Sequence, residues 1–353
     1  MATLKDVAKE AGVSPTTVSY AMRGGQYVSP ETAQRVQAAV EKLGYVANAS
    51  ARNLKYGRSH VIEIGVHEFD APYFYSKLAE TAVNTIERRG YRALVVRTGI
   101  GWKDIEKAID AVVNPSADGV MLNAADFDTS ALRRLSRNRP TVLLDDSRDE
   151  PVLDTVMTPN ECGMRAAVAH LVERGCRAIA IVGLDDYPET VVQSPTTLPH
   201  LRMRAIREAF AEFGILYRGD WCFPADWTIE PGREPGRRLG ALLQNSGSAE
   251  TGSTHTLDCP DGVLCVTDSL ALGVIRGLAD VGVHVPSDIK VIGFDGLSLD
   301  SMVVPSISSV EIDMDDYVSK AVDMLVERIE GRYDGLPRRV EARFKVAPRE
   351  STR

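Results

Sequence analysis

The sequence predicts an all-α helix-turn-helix head joined to a two-lobed α/β body with parallel sheets. Three observations carry that reading. Residues 1–47 hold three short helical segments, each opened by a capping signal. From residue 61 onward, apolar strand-like runs alternate with amphipathic helical stretches. Charge is shared unevenly: residues 1–60 carry eight Lys/Arg against four Asp/Glu, and the rest carry 33 against 45. The formal net charge of −8 over 353 residues therefore averages a basic head and an acidic body. A hydrophobic fraction of 44% with 25% charged residues is that of an ordinary globular chain, which argues against a disordered chain, a collagen and a small disulfide scaffold.

The head reads element by element. Thr3 precedes LKDVAKEA with Asp6 three positions on, which approximates a capping box. Ser14-Pro15 and Ser29-Pro30 each pair an N-cap with proline at the first helical position. Gly12, Gly24-Gly25 and Gly44 punctuate the gaps. Apolar faces follow helical spacing: Leu4, Val7, Ala8 and Ala11; Val18, Ala21 and Met22; Ala33, Val36, Val40 and Leu43. The second helix, about 15–22, turns Pro15, Thr16, Ser19 and Tyr20 outward, with Arg23 just beyond and no acid among them. Short hydroxyls and methyls of this kind suit base edges and phosphates in a duplex major groove. Ser14 and Thr17 add hydroxyls at its start.

TLKDVAKEAGVSPTTVSYAMRGG (3–25) and VSPETAQRVQAAVEKLGYVANASARNLK (28–55) resemble the DNA-binding head of the LacI/GalR family of transcription regulators. The resemblance implies base contacts by Pro15, Thr16 and Tyr20. Arg23 stands where the family usually has asparagine, which shifts the expectation there to a phosphate contact. Asn48–Lys55 resembles the family's hinge helix. Asn48 can cap it, yet eight residues are too few to hold a helix alone. In the family, paired hinge helices enter the minor groove and a leucine wedges a base step. That role falls on Leu54, with Ala51 and Lys55 along the groove. Ala47 replaces the proline often found before this hinge.

In the body, 61–66, 92–97, 119–123 and 141–145 read as strands, with helices at about 73–89, 103–113 and 129–138. A second series follows: helix 160–174, strand 177–183, helix 200–213, strand 221–224, helix 232–245, strand 262–266, helix 269–281 and strand 290–294. Repeated βα units predict parallel sheets. Strand 307–312, helix 314–331 and strand 339–346 should return to complete both lobes, and 246–260 reads as an inserted surface loop. The expected domains are 1–47 (helix-turn-helix), 48–59 (hinge and linker) and 60–353. Within the last, lobe 1 is expected at about 60–158 plus 293–320 and lobe 2 at about 159–290 plus 321–348.

Ligands of open α/β sheets sit beyond the carboxyl ends of the strands. Asp145, Asp146 and Arg148, the loop 67–75 with Tyr73 and Phe74, Trp227 and Asp268 all follow strands, and Arg202 opens a helix. Carboxylate, guanidinium and aromatic faces suit a sugar or a nucleobase. The family resemblance continues through LRMRAIREAFAEFGI (201–215), DGVLCVTDSLALGVIRGLADVGVHVPSDIKVIGFDG (261–296), VVPSISSVEID (303–313) and APREST (347–352). It implies a periplasmic-binding-protein-like body, places effector contacts on Arg202 and Asp268, and puts a stacking aromatic at Trp227. Tyr73, Phe74 and Arg148 complete the candidate effector site. Ala205-Ile206, Pro159 and Gly296 depart from the family's usual Gly-Phe, Asp and Asp.

Other chemistries find no motif. GxSxG, HExxH, Walker and GxGxxG signatures are missing, the six histidines do not cluster, and five scattered cysteines form no CxxC pair. No enzyme activity, metal or cofactor is expected. MATLKDVAKE lacks an apolar signal core and the apolar runs are too short to cross a bilayer, which predicts a cytoplasmic protein without membrane contact. The expected function is a repressor. It binds near-palindromic double-stranded DNA as a homodimer under control of a small-molecule effector, a sugar or sugar phosphate. The alternative is a sugar-binding receptor module without a DNA role; the basic head argues against it.

Overall fold

Thr3 N–H donates to Asp6 Oδ2 at 2.8 Å and Thr3 Oγ1 accepts from Asp6 N at 3.3 Å, so a reciprocal capping box opens helix α1, Leu4–Ala11. Ser14 caps α2, Pro15–Ala21, by accepting from Thr17 N at 3.0 Å, and Ser29 caps α3, Pro30–Leu43. Val7, Ala8, Ala11, Val18, Val36 and Ala39 are buried together between the three helices. Met22, expected on the apolar face, ends α2 and is exposed instead.

The computed structural model describes residues 2–22, 28–45, 58–66, 74–98, 117–123, 128–137, 139–194, 197–246 and 259–353. The chain divides into two units, Met1–Ser59 and His60–Arg353. The expected hinge helix 48–55, the helix at 103–113 and most of the loop 246–260 lie outside the described residues.

Unit 2 contains two six-stranded sheets. The first runs β11-β5-β4-β3-β1-β2, all parallel: Arg339–Glu341, Asp154–Met157, Thr141–Leu144, Gly119–Asn123, Val61–Val66 and Arg92–Arg97. The second runs β12-β10-β9-β8-β6-β7: Phe344–Ala347, Ser308–Ile312, Lys290–Asp295, Gly262–Cys265, Ile179–Val182 and Cys222–Phe223. Here only β12 runs antiparallel, against β10. The strands are apolar because helices cover both faces, and β3, β4, β6 and β8 are buried along nearly their whole length.

The lobe boundaries differ from expectation. β9 and β10 belong wholly to lobe 2, and helix Met314–Ile329 packs on lobe 1 against β3, β4, β5 and helix Phe74–Arg88. The expected assignment of 293–320 to lobe 1 and 321–348 to lobe 2 is thus corrected for 293–312, 321–329 and 339–341, while 314–320 and 344–347 lie in the lobes expected. The cause is the ladder: β10 satisfies its backbone groups by pairing with β9 from Ser308 opposite Ile292 to Glu311 opposite Asp295, so the chain crosses only after Ile312. Among the described residues it crosses three times, after β5, after β10 and between β11 and β12.

In lobe 2, helices Ile229–Ser246 and Asp268–Asp280 meet backbone to backbone. A Cβ added to Gly273 would lie 2.0 Å from the Ile229 carbonyl oxygen, and one on Gly277 would lie 2.0 Å from that of Arg233. Among the described residues, no helix is long and apolar enough to cross a membrane.

Candidate functional site

The outward face of α2 carries the predicted reading residues. Ser14, Pro15, Thr16 and Tyr20 are exposed, and Thr17 and Ser19 are half-buried. Ser14 Oγ is committed to its cap, and the Ser14 and Thr17 hydroxyls lie 2.8 Å apart. Val18, between Thr17 and Ser19, is fully buried and seats the helix on the small core. Arg23, Ala51, Leu54 and Lys55 lie outside the described residues.

In unit 2, the carboxyl ends of both sheets face a cavity of about 110 Å³. Phe74, Asp145, Arg202, Trp227 and Asp295 line it, with Tyr75, Asn123, Thr158, Leu198, Thr267 and Ser269. A larger cavity of about 540 Å³ adjoins it; Phe74 and Asp295 belong to both. Asn123 ends β3, Asp295 ends β9, and Asp145 and Thr158 directly follow β4 and β5.

Arg202 is the centre of this site. It sits in the first turns of helix Leu198–Phe213, only 4% exposed. Its guanidinium lies between two aromatic rings, 4.7 Å from the Trp227 centroid and 4.3 Å from that of Phe294. Nε donates to Asn160 Oδ1 at 2.8 Å and Nη1 donates to the Val266 carbonyl. Burial lowers its proton affinity; the negative charges of Asp295 and Asp145 oppose this. The Trp227 indole N–H donates to the Gly183 carbonyl at 2.8 Å, which fixes the ring against the guanidinium.

Asp145 adopts φ +58° beyond β4. Its Oδ1 accepts from Thr158 N at 2.6 Å and Thr158 Oγ1 at 2.7 Å, and its Oδ2 accepts from the Tyr317 hydroxyl at 3.0 Å. Burial pushes its pKa up, against the pull of those donors and of Arg202. Asn160 joins the lobes: its amide donates toward Asp145 and Thr158, and its oxygen accepts from Arg202. The network thus runs from Tyr317 and Asp145 of lobe 1 through Asn160 to Arg202 of lobe 2.

Phe74, Arg202 and Trp227 are brought together as the sequence suggested; Tyr73 lies outside the described residues. Two candidates are placed elsewhere. Arg148 pairs with Asp146, and its carbonyl accepts from Arg339. Asp268 is fully buried behind the wall, where Oδ2 accepts from Gly296 N at 2.6 Å, Leu297 N at 3.1 Å and Ser309 Oγ at 2.9 Å. The carboxylate that faces the cavity from this region is Asp295, which sequence reasoning missed. It ends the strand 290–294, so the strand-end rule that selected Asp145 would have found it.

Comparison with known proteins follows the same division. Residues 3–48 match the model for bacterial regulatory proteins of the lacI family. Residues 59–195 match the periplasmic binding proteins and sugar binding domain of the LacI family, and 168–352 match the periplasmic binding protein-like domain. The HTH-type transcriptional repressor PurR of Glaesserella parasuis serovar 5 (strain SH0165) is 29% identical over 331 residues, covering 94% of this chain and 91% of that protein. Among solved structures, the lac repressor dimer bound to operator and the anti-inducer ONPF superposes with a TM-score of 0.79 at 23% identity, covering 99% of each chain. The complex of the transcriptional regulator CelR with cellobiose gives 0.68 at 26%, covering 99% of this chain and 100% of that one. The chain belongs to the LacI family of bacterial regulatory proteins.

Proposed function

We propose that this chain is a cytoplasmic, sequence-specific DNA-binding repressor whose operator affinity is set by a carbohydrate effector held between the lobes. The observation that carries the reading is the cavity at the strand ends, where one sandwiched guanidinium and two carboxylates meet an indole face. Carboxylates accept from vicinal hydroxyls, an aromatic face packs on a pyranose, and the arginine fork fixes orientation. Asp145 and Asp295 against the single Arg202, itself bonded to Asn160 and Val266, favour an uncharged sugar over its phosphate. The structure of a similar regulator, CelR, in complex with cellobiose supports the same class.

Pro15, Thr16 and Tyr20 read bases, while Ser14, Thr17, Ser19 and Arg23 meet the backbone. Leu54, Ala51 and Lys55 work in the minor groove. One head reads a half-site, so the active species is a homodimer on a near-palindrome. Effector binding biases the lobe angle, and the coupling to DNA cannot exceed its differential affinity for the two lobe arrangements. No catalytic step is assigned to the cleft.

A gel shift with DNA upstream of the chain's own gene, titrated with neutral sugars and their phosphates, tests this. A shift altered by a neutral sugar supports the reading. No shift under any ligand condition would sink it, and a response confined to sugar phosphates would overturn the effector class.

A further inference from the structure

Behind the cavity wall, Asp268 opens helix Asp268–Asp280 and Asp300 lies in the short turn Ser298–Ser301, both with no exposed surface. Asp268 Oδ2 takes three donors, from Gly296, Leu297 and Ser309. Its Oδ1 and both oxygens of Asp300 meet no donor among the described residues, and the two groups are neighbours: Leu297, whose N–H donates to Asp268 Oδ2, accepts from Asp300 N at 3.1 Å through its carbonyl. Two ionised carboxylates have no proton to share, and three buried acceptors without donors are costly. One proton lets the two groups share a hydrogen bond and cuts the acceptors without donors from three to one. It belongs on Asp300, because the donors around Oδ2 stabilise Asp268 in its ionised form and Asp300 has none.

We propose that Asp300 is a positioning residue: it is held as the neutral acid, donates to Asp268 Oδ1, and through that shared proton fixes the loop 296–301. Gly296, Leu297 and Ser298 of this loop line the larger cavity, and Asp295 precedes them at φ +121°. The effector-facing carboxylate is thus aimed by a proton it does not touch; this step rests on the effector role proposed above. The charged groups around Asp300 are Asp268 from the helix, Asp295 from β9 and Arg349 from the C-terminal segment. Arg349 is committed to the Ile307 carbonyl and to Glu311. Burial first, then the charge of Asp268, pushes Asp300 up to about 10, so it stays protonated through the neutral range.

The test is urea unfolding of the full chain between pH 6 and 9, wild type against Asp300→Asn. An unfolded Asp300 is ionised over this range and the folded one is protonated, so folding takes up a proton. The unfolding constant attributable to this residue therefore rises tenfold per pH unit in wild type. The amide of the variant supplies the donor without a proton, so the ratio of wild-type to variant unfolding constants should grow tenfold per unit; a constant ratio overturns the proposal. Aspartate-selective 13C carboxyl NMR of wild type gives a second reading that needs no variant: every aspartate carboxyl ionised at pH 8 overturns it. Amide exchange tests the positioning. Gly296 and Leu297 should keep their protection in Asp300→Asn and lose it in Asp300→Ala; equal protection in both overturns that role. Stabilisation at pH 9 by KCl or NaCl, in wild type only, would put a cation in place of the proton and overturn it as well. None of these readouts uses DNA or effector, so their failure is separable from failure of the repressor reading.

Discussion

Replacing Arg202 with methionine removes a buried cation while keeping most of the side-chain volume. Asn160 Oδ1 and the Val266 carbonyl each lose a donor, and Trp227 and Phe294 lose the guanidinium between them. Asp145 and Asp295 lose the nearest compensating positive charge. Removing one partner of a buried charged set costs about 3–5 kcal/mol, and the refilled volume does not offset it. Burial already pushes the Asp145 carboxyl up and Arg202 pulls it back, so the variant raises it further. A group whose folded pKa is raised stabilises most below its unfolded pKa and loses that contribution as pH rises through the folded value. The variant's deficit should therefore be larger at pH 8 than at pH 5, by up to about 1.4 kcal/mol per pH unit for each carboxylate driven to protonate. Tryptophan fluorescence during urea unfolding is the assay, because Trp102, Trp221 and Trp227 all lie in unit 2. A deficit under about 1 kcal/mol, or one equal at both pH values, would refute the view of Arg202 as the charge centre of the cleft.

Gly277→Ala should destabilise unit 2 by about 1–3 kcal/mol or more, since its Cβ meets helix backbone with no side chain to yield; an unchanged urea midpoint would contradict the close crossing. Asp154→Asn should cost about 3–5 kcal/mol at pH 7, because the carboxylate accepts from both Arg328 and Arg338 in a buried setting. Burial raises the Asp154 pKa but those donors outweigh it and hold it low, so the deficit should shrink only as pH falls below the ordinary carboxylate range; a deficit that shrinks at neutral pH would argue otherwise. Tyr20→Ala should change the preferred operator, with about 1–3 kcal/mol for a lost base contact. Selection from a random DNA library would expose the error if both proteins choose the same sequence. Leu54→Ala should weaken specific binding far more than non-specific binding in a gel shift; equal losses would rule out the wedge.

The head was legible because its signals are local. Thr3 with Asp6, Ser14-Pro15 and Ser29-Pro30 each act within one helical turn, and the structure places caps on all three. Most strands of unit 2 were legible as apolar runs for the same reason, but Asp154–Met157 was not read as a strand, and 339–346, read as one strand, is two: Arg339–Glu341 in the first sheet and Phe344–Ala347 in the second. Which lobe receives β10 and helix Met314–Ile329 was not legible, since an apolar run fits either sheet and only long-range pairing with β9 decides. The two aspartates show the same limit at the site. Both Asp268 and Asp295 stand at strand ends. What turns Asp268 away from the cavity is a pair of backbone N–H groups at Gly296 and Leu297, nearly thirty residues along the chain, which only the folded loop presents. Arg148 likewise had a plausible place in the cleft and found Asp146 two residues away instead.

The interleaving of the lobes bears on how the chain is made. β11 and β12, at residues 339–347, complete the first and second sheets respectively, so neither lobe is finished until these residues have left the ribosome. Unit 1 emerges first with its own small core. A message truncated before codon 339 would therefore yield a folded head on a body whose β5 and β10 edges stand unpaired, an open template for association with other chains. Chains stopped before Arg339 should behave as aggregating, unregulated products, and removing residues 339–347 cannot yield a clean single-lobe fragment.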